Sequence, residues 1–289
     1  MLAGGSLKSN LGDVLRATVA TRLYADWVFV TDAAGQALVA DFLEPSRVVR
    51  LEALTRQVDP RQVRRVVLLD NHRQALVLEP FAGAAFPAFV PTPEGVRPAN
   101  RWIAGLVPYQ AADEDVSWQE CLVRGLGQPW TGQDYPDVRV DAPRWDVGLN
   151  SGVHPAWTSK SWPQAAWEEL EERLRRFCRV SRQQGAQDLA VYKDWLRSCR
   201  IVVTCDSLGL HLASAYRRHV VVLAGPTHAR EFPYGRVQVL SPRQRDCLPC
   251  HAPVCTRDDW CMRDIAPATV AERCRRLLEA SSPVAFPGE

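Results

Sequence analysis

Ile201-Val202-Val203-Thr204-Cys205-Asp206-Ser207-Leu208-Gly209-Leu210-His211-Leu212-Ala213-Ser214-Ala215 joins a β-branched run to a helical one with no loop between them. The apolar run from Ile201 is short and reads as a buried strand. Ser207 to Tyr216 reads as the helix that follows it. Val220-Val221-Val222-Leu223-Ala224 is the next strand, and it runs into Gly225-Pro226-Thr227. Strand, helix and strand in this order predict a βαβ unit and a parallel sheet.

Working outward, the C-terminal half holds further elements of the same kind. Val147-Gly148-Leu149-Asn150 is a strand, and Pro163 to Val180 is an amphipathic helix with proline suited to its first turn. Leu189 to Cys199 is a short helix and Pro267 to Ala280 a terminal one. The N-terminal half repeats the alternation: an apolar start at Leu2 to Leu7, a helix over Val14 to Tyr24, a strand at Trp27 to Thr31 and a helix over Ala33 to Leu43. Strands at Arg47 to Leu51 and Val66 to Asp70 follow, with a helix at Asn71 to Leu78. Phe81 to Asp141 is rich in Pro, Gly and aromatics and reads as irregular, except for a helix at Ser117 to Leu126. The fold class is therefore α/β, in two domains, 1–143 and 144–289. No internal repeat is visible.

Composition narrows the function classes. The 289 residues are 46% hydrophobic, ample for a buried core, and 35 basic residues against 33 acidic give a net charge of +2. That balance supplies no field to gather nucleic acid. No apolar run is long enough for a membrane span, and Met1 to Gly12 lacks the pattern of a secretory signal. A cytoplasmic protein is expected, with a peripheral place at the inner face of the inner membrane left open.

Four places carry candidate chemistry, each where a strand hands over to a loop or helix. Open parallel sheets bind ligands at the carboxyl ends of their strands. Leu11-Gly12-Asp13-Val14-Leu15-Arg16 puts a glycine and a carboxylate at a helix start; the plain alternative is that Asp13 is only a cap. Gly148-Leu149-Asn150-Ser151-Gly152, followed by Ser159-Lys160-Ser161-Trp162-Pro163, offers small residues and an ammonium that can converge on a diphosphate. An ordinary strand–loop–helix with an exposed lysine is the alternative. Asp206 sits where its two oxygens can hold a sugar hydroxyl, unless Asp206 or Ser207 merely caps the helix and His211 is a core histidine. Gly225-Pro226-Thr227 is a turn at a strand's carboxyl end. Trp157 and Trp162 flank Lys160, placed either to stack on a ring or to pack in the core.

Taken in order, these stretches resemble glycosyltransferase family 9, the ADP-heptose:lipopolysaccharide heptosyltransferases and their relatives. The resemblance runs from Leu11-Gly12-Asp13-Val14-Leu15-Arg16-Ala17-Thr18 through Gly148 to Gly152, Lys160-Ser161-Trp162-Pro163 with Trp167, Asp206 to Ala213 and Val222 to Thr227. Tyr234-Gly235 and the segment Cys247 to Met262 complete it. It implies the GT-B fold, two Rossmann-like domains whose parallel sheets face across a cleft. It implies an inverting enzyme that moves a heptose-like sugar from ADP-heptose or another nucleotide sugar to a hydroxyl of a glycan or lipid-linked acceptor, such as lipopolysaccharide core. No metal or other cofactor is implied for catalysis.

By the same resemblance Asp13 is the general base, Lys160 neutralises the donor diphosphate and Asp206 holds the donor sugar. Asn150, Ser151, Ser207, Gly209 and His211 shape the donor site, Gly225, Pro226 and Thr227 lie by the diphosphate, and Gln184 faces the nucleoside. Two departures stand out. Leu208 occupies a position that many members fill with glycine, and Gly209 follows it. The N-terminal half is also short for the family around residues 52–110. A catalytically idle relative that binds a nucleotide sugar or a partner protein is the competing expectation. A nucleotide-sugar epimerase is a third. A nicotinamide-dependent dehydrogenase is disfavoured, because no Gly-x-Gly-x-x-Gly follows the first strand.

Four of the nine cysteines cluster in one segment. Cys247, Cys250, Cys255 and Cys261 can supply four thiolates to a structural zinc or an iron–sulfur centre, or they are free thiols or a local disulfide. Cys121, Cys178, Cys199, Cys205 and Cys274 read as small core residues.

Overall fold

The computed structural model describes residues 2–3, 11–69, 79–93, 95–106, 116–185, 188–227, 232 and 235–280. The expected helix at Asn71 to Leu78 lies outside them, as does Tyr234. Two compact units divide the chain, with the change near Val138 and Arg139 and with Phe232 counted in the first.

The first unit holds a four-stranded sheet. Its strands are β1 (Leu2–Ala3), β2 (Phe29–Thr31), β3 (Val48–Arg50) and β4 (Val67–Leu68), in the order β3-β2-β1-β4 and parallel throughout. The first helix, α1 (Leu11–Ala17), begins earlier than its apolar spacing indicates, and Thr18–Leu23 tightens into 3-10 turns instead of continuing it. Asp13 is thus inside the first helical turn and does not cap it. A carboxylate there is favoured by the free N–H groups of the turn. The second helix, α2 (Ala33–Val39), starts at Asp32, whose side chain accepts from the Gly35 N–H at 2.7 Å. A short α3 (Leu54–Gln57) follows β3.

The stretch read as irregular contains an antiparallel hairpin, β5 (Phe89–Thr92) and β6 (Gly95–Pro98), and a single helical turn, α4 (Arg101–Ala104). Pro91 and Pro98 lie inside this hairpin. Prolines mask a strand in a sequence because they are confined to edges and ends of sheets. α5 (Trp118–Gly125) forms where expected, capped by Ser117.

The second unit is a five-stranded parallel sheet. Its strands are β7 (Trp145–Asn150), β8 (Val180–Arg182), β9 (Cys199–Cys205), β10 (His219–Leu223) and β11 (Val237–Leu240), in the order β11-β10-β9-β7-β8. Its helices are α6 (Gln164–Arg175), α7 (Leu189–Arg197), α8 (Leu208–Ala215) and α9 (Pro267–Ala280). α6 and α9 pack together on one face, and α7 and α8 cover the other. Central strands covered on both sides must be apolar along their length. That accounts for β9, which is buried everywhere but Arg200.

Leu149, Trp167, Leu170, Leu174, Ile201, Val203, Val221, Val270 and Cys274 share the α6/α9 core. Gly148 faces the other side, where a β-carbon would come within 2.4 Å of the Cys199 sulfur. β8 and β11 are the elements that the sequence pattern does not show. β8 offers one apolar residue, and the amphipathic spacing of α6 runs on into it; the helix itself stops at Arg175.

From β7 the chain crosses to β8 on one side and then returns to β9 on the other. The carboxyl ends of β7 and β9 are therefore the switch point of the sheet, where doubly wound folds open a crevice for ligand.

If β7 is fixed by this packing, Leu149→Ala is expected to cost about 2–5 kcal/mol by cavity formation, whereas Val191→Ala, whose side chain is exposed, should change stability by less than about 0.5 kcal/mol. Urea unfolding of the two variants gives the comparison.

Candidate functional site

Asn150 ends β7 directly opposite Thr204 of β9. The Asn150 amide is buried and donates to the Thr204 hydroxyl at 2.9 Å and to the Ser207 hydroxyl at 3.3 Å. Thr204 and Ser207 hydroxyls are 3.2 Å apart. Tyr192 of α7 joins them through a hydrogen bond with Asn150, and burial pushes its phenol well above the usual value, so it stays a neutral O–H. This network fixes the turn that carries Asp206. A polar cluster this deep is stable only when its members satisfy one another.

Gly209 explains the shifted glycine. A β-carbon there would lie 2.3 Å from the Asn150 amide nitrogen and 2.6 Å from the Tyr192 hydroxyl. The close approach that requires glycine therefore falls at 209, and Leu208 begins α8 only half-buried. Ser207 stands at the N-cap position, where its carbonyl accepts from the Leu210 N–H at 3.1 Å, but its hydroxyl caps no helix N–H and serves Asn150 and Thr204 instead. His211 is buried within α8.

Asp206 faces a second set of groups. Its carboxylate forms an ion pair with the Lys160 ammonium and accepts from the Thr227 hydroxyl at 3.0 Å. The Lys160 and Asp206 side chains keep only 17% and 10% of their exposure. A pair this sheltered gives up solvation on both partners, so it is weak evidence of a stabilising role. The ammonium also lies 4.6 Å from the centre of the Trp157 ring. An ammonium has three N–H donors. Asp206 and the ring face occupy two directions, which leaves capacity for an oxyanion.

The structure thus brings Lys160, Asp206 and Thr227 together, with Asn150 and Ser207 behind them. Gly225 and Pro226 are buried in the turn leading to Thr227, and a β-carbon on Gly225 would come within 2.3 Å of the Met262 sulfur. Ser151 follows β7, half-buried. Gln184 is exposed just past β8, and its amide donates to the Arg182 carbonyl rather than to this cluster. Trp162 is core: it packs edge-on to Trp167 and donates to the Ile265 carbonyl at 3.1 Å.

Asp13 belongs to the first unit. Its carboxylate is about half exposed, at 51%, and lies 3.6 Å from the guanidinium of buried Arg16 one turn along α1. Arg16 in turn rests 5.9 Å from the centre of the Trp118 ring.

Two participants are not singled out by the sequence. Thr204 has a signal, a polar residue interrupting an apolar strand. Tyr192 has none, because only the packing of α7 brings it to the site. Asp134 is a further surprise: its carboxyl is pushed up to about 7, first by burial and then by the neighbouring Glu120 charge.

Among the described residues no three His, Cys, Asp or Glu side chains are placed to hold a metal ion. Cys261 is buried, Cys250 exposed, and Cys247 and Cys255 lie between. Cys247, Cys250, Cys255 and Cys261 lie close enough to act on one another's charge, but no three of them are arranged as the zinc or iron–sulfur alternative requires. Burial pushes Cys205 and Cys199 up to about 12, so these thiols are inert core groups.

Comparison with known proteins bears on fold. No family model matches the chain. No curated protein matches it either. Solved structures do. The ADP-heptose lipopolysaccharide heptosyltransferase II of E. coli is similar at 17% identity and a TM-score of 0.64, over 96% of this chain and 98% of that one. A family 9 glycosyltransferase of Veillonella parvula is similar at 12% identity and 0.65, over 97% of each. The E. coli heptosyltransferase WaaC, solved with ADP, is similar at 15% identity and 0.63, over 97% and 99%. The chain therefore has the α/β fold of these GT-B proteins over nearly its whole length.

Asp134 gives a pH dependence with a definite sign. Its folded-state pKa, about 7, lies above the ordinary carboxylate value of 3.8, so the unfolded chain binds fewer protons between about pH 4 and 7 and stability falls as pH rises through that window. Asp134→Asn is expected to raise the melting temperature at pH 8 and leave it nearly unchanged at pH 4. Equal shifts at both pH values would refute the assignment.

Proposed function

We propose that the chain is an inverting glycosyltransferase of the family 9 kind, which takes an ADP-activated heptose and joins it to a hydroxyl of a glycan acceptor such as lipopolysaccharide core. The observation that carries this reading is the Lys160–Asp206–Thr227 cluster at the switch point of the second sheet. The fold shared with heptosyltransferases, one of them solved with ADP, supports the choice of donor.

The chemistry assigns each group a step. Lys160 meets the diphosphate, with Gly225, Pro226 and Thr227 beside it. Asp206, held by Asn150, Ser207 and the Gly209 approach, takes the sugar hydroxyls. Gln184 is assigned to the nucleoside, which its amide would meet by leaving the Arg182 carbonyl, while Ser151 and His211 belong to the loop and helix beside the diphosphate. Asp13 accepts the proton of the acceptor hydroxyl as its oxygen attacks the anomeric carbon. The bond from that carbon to the diphosphate breaks, its electron pair leaves with ADP, and the configuration inverts. Negative charge grows on the leaving group, where the Lys160 ammonium is already in place in a site poor in water; such preorganised charge is a large source of rate. The four clustered cysteines have no part in this reaction, and it calls on no cofactor.

A lipid-linked acceptor would place the protein at the cytoplasmic face of the inner membrane. The association proposed there is peripheral; no helix among the described residues is long and apolar enough to cross a membrane.

ADP release from ADP-heptose in the presence of a truncated lipopolysaccharide core tests the reading. Asp13→Ala is expected to lower turnover by about 10²–10⁴-fold with donor affinity nearly kept. Lys160→Ala is expected to weaken donor binding itself. Wild-type turnover in the Asp13 variant, or unchanged donor affinity in the Lys160 variant, would overturn the corresponding role.

A further inference from the structure

Lys160 sits on a single 3-10 turn, Thr158–Lys160. Such a turn has little to hold it from within: Lys160 N–H donates to the Trp157 carbonyl at 3.1 Å and Ser161 N–H to the Thr158 carbonyl at 3.0 Å. Its position must come from outside, and the neighbouring Ser159 shows from where. Ser159 N–H donates to the Pro253 carbonyl at 3.0 Å, and its hydroxyl donates to the Ala252 carbonyl at 2.5 Å. The Ser159 carbonyl accepts from the Trp260 indole N–H at 3.1 Å. All three polar groups of one buried residue are thus satisfied by one distant segment.

The same segment holds the other turn. The Pro226 carbonyl, next to Thr227, accepts from the N–H groups of Cys250 at 3.1 Å and His251 at 3.0 Å. His251 adopts a left-handed backbone, φ 48°, to aim its N–H there. Beyond it, Met262 is fully buried against Gly225. The segment has its own footing: Arg245 pairs with Asp264 at 2.8 Å and with Asp259 at 2.5 Å.

We propose that the Cys247–Met262 segment is a brace that sets the two turns carrying Lys160 and Thr227, with Trp260 and Ser159 as positioning residues for the diphosphate-binding ammonium. This rests on the donor-site reading above. Lys160 and Thr227, which each reach the Asp206 carboxylate, are then located by one element outside the sheet. A displacement of about 1 Å at such a group is enough to lose much of its effect. The cysteine-rich segment gains a role that depends on its backbone and on Trp260, not on thiol chemistry.

Trp260→Phe keeps a ring and removes only the N–H. The full-length variant is compared with wild type for ADP by calorimetry and for adenosine by ligand-observed NMR, with and without Lys160→Ala. The expected result is ADP affinity weakened roughly three- to tenfold, adenosine affinity unchanged, and no further loss when Lys160 is already alanine. If Trp260→Phe does not fold, Ser159→Ala is read the same way. Equal losses for ADP and adenosine, or the same loss with and without Lys160, would overturn the brace and leave the donor site standing. No ADP binding by the wild-type protein would instead overturn the donor reading and the brace with it.

Discussion

The pairing of β7 with β9 governs the rest of the second unit. Both strands are covered by helices on both faces, so beyond Asp146 and Arg200 near their amino ends neither carries a polar side chain until its carboxyl end. There the register sets Asn150 against Thr204. The polar groups forced out of the sheet meet at that point, and hydrogen bonds among them fix the turn that presents Asp206. Parallel pairing, burial and site are one constraint seen at three scales.

Much of this is legible in the sequence because burial leaves a plain trace. A run such as Ile201 to Val203 followed at once by a helix has few alternatives, and the same is true of Val220 to Leu223. Asp206, Asn150 and Thr227 are each visible as polar residues at or just past a strand's end, and Lys160 as a cation just before a helix. Their meeting was not, since Lys160 and Asp206 are far apart in the chain and no spacing rule joins them. The short edge strand at Val180 was lost for the opposite reason: one apolar residue cannot be told from the tail of an amphipathic helix. The hairpin at Phe89 was hidden by its prolines.

Gly209 shows what a single glycine at the start of a helix can be required for. The requirement is for backbone without a β-carbon beside Asn150 and Tyr192. The chain meets it at Gly209. The cysteine segment shows the converse. Four thiols in close spacing draw attention to sulfur, yet what the segment contributes to the site is carbonyl and N–H groups and one indole. Backbone roles of this kind have no residue signature.

The central claim is that the second unit holds a nucleoside diphosphate at the carboxyl ends of β7 and β9. Thermal unfolding of the wild-type protein with ADP, UDP, GDP or CDP tests it most directly, because a ligand that binds only the folded state raises the melting temperature by mass action. The account predicts a clear rise that grows with ADP concentration and is larger than that given by the other three. No rise with any of the four would contradict it.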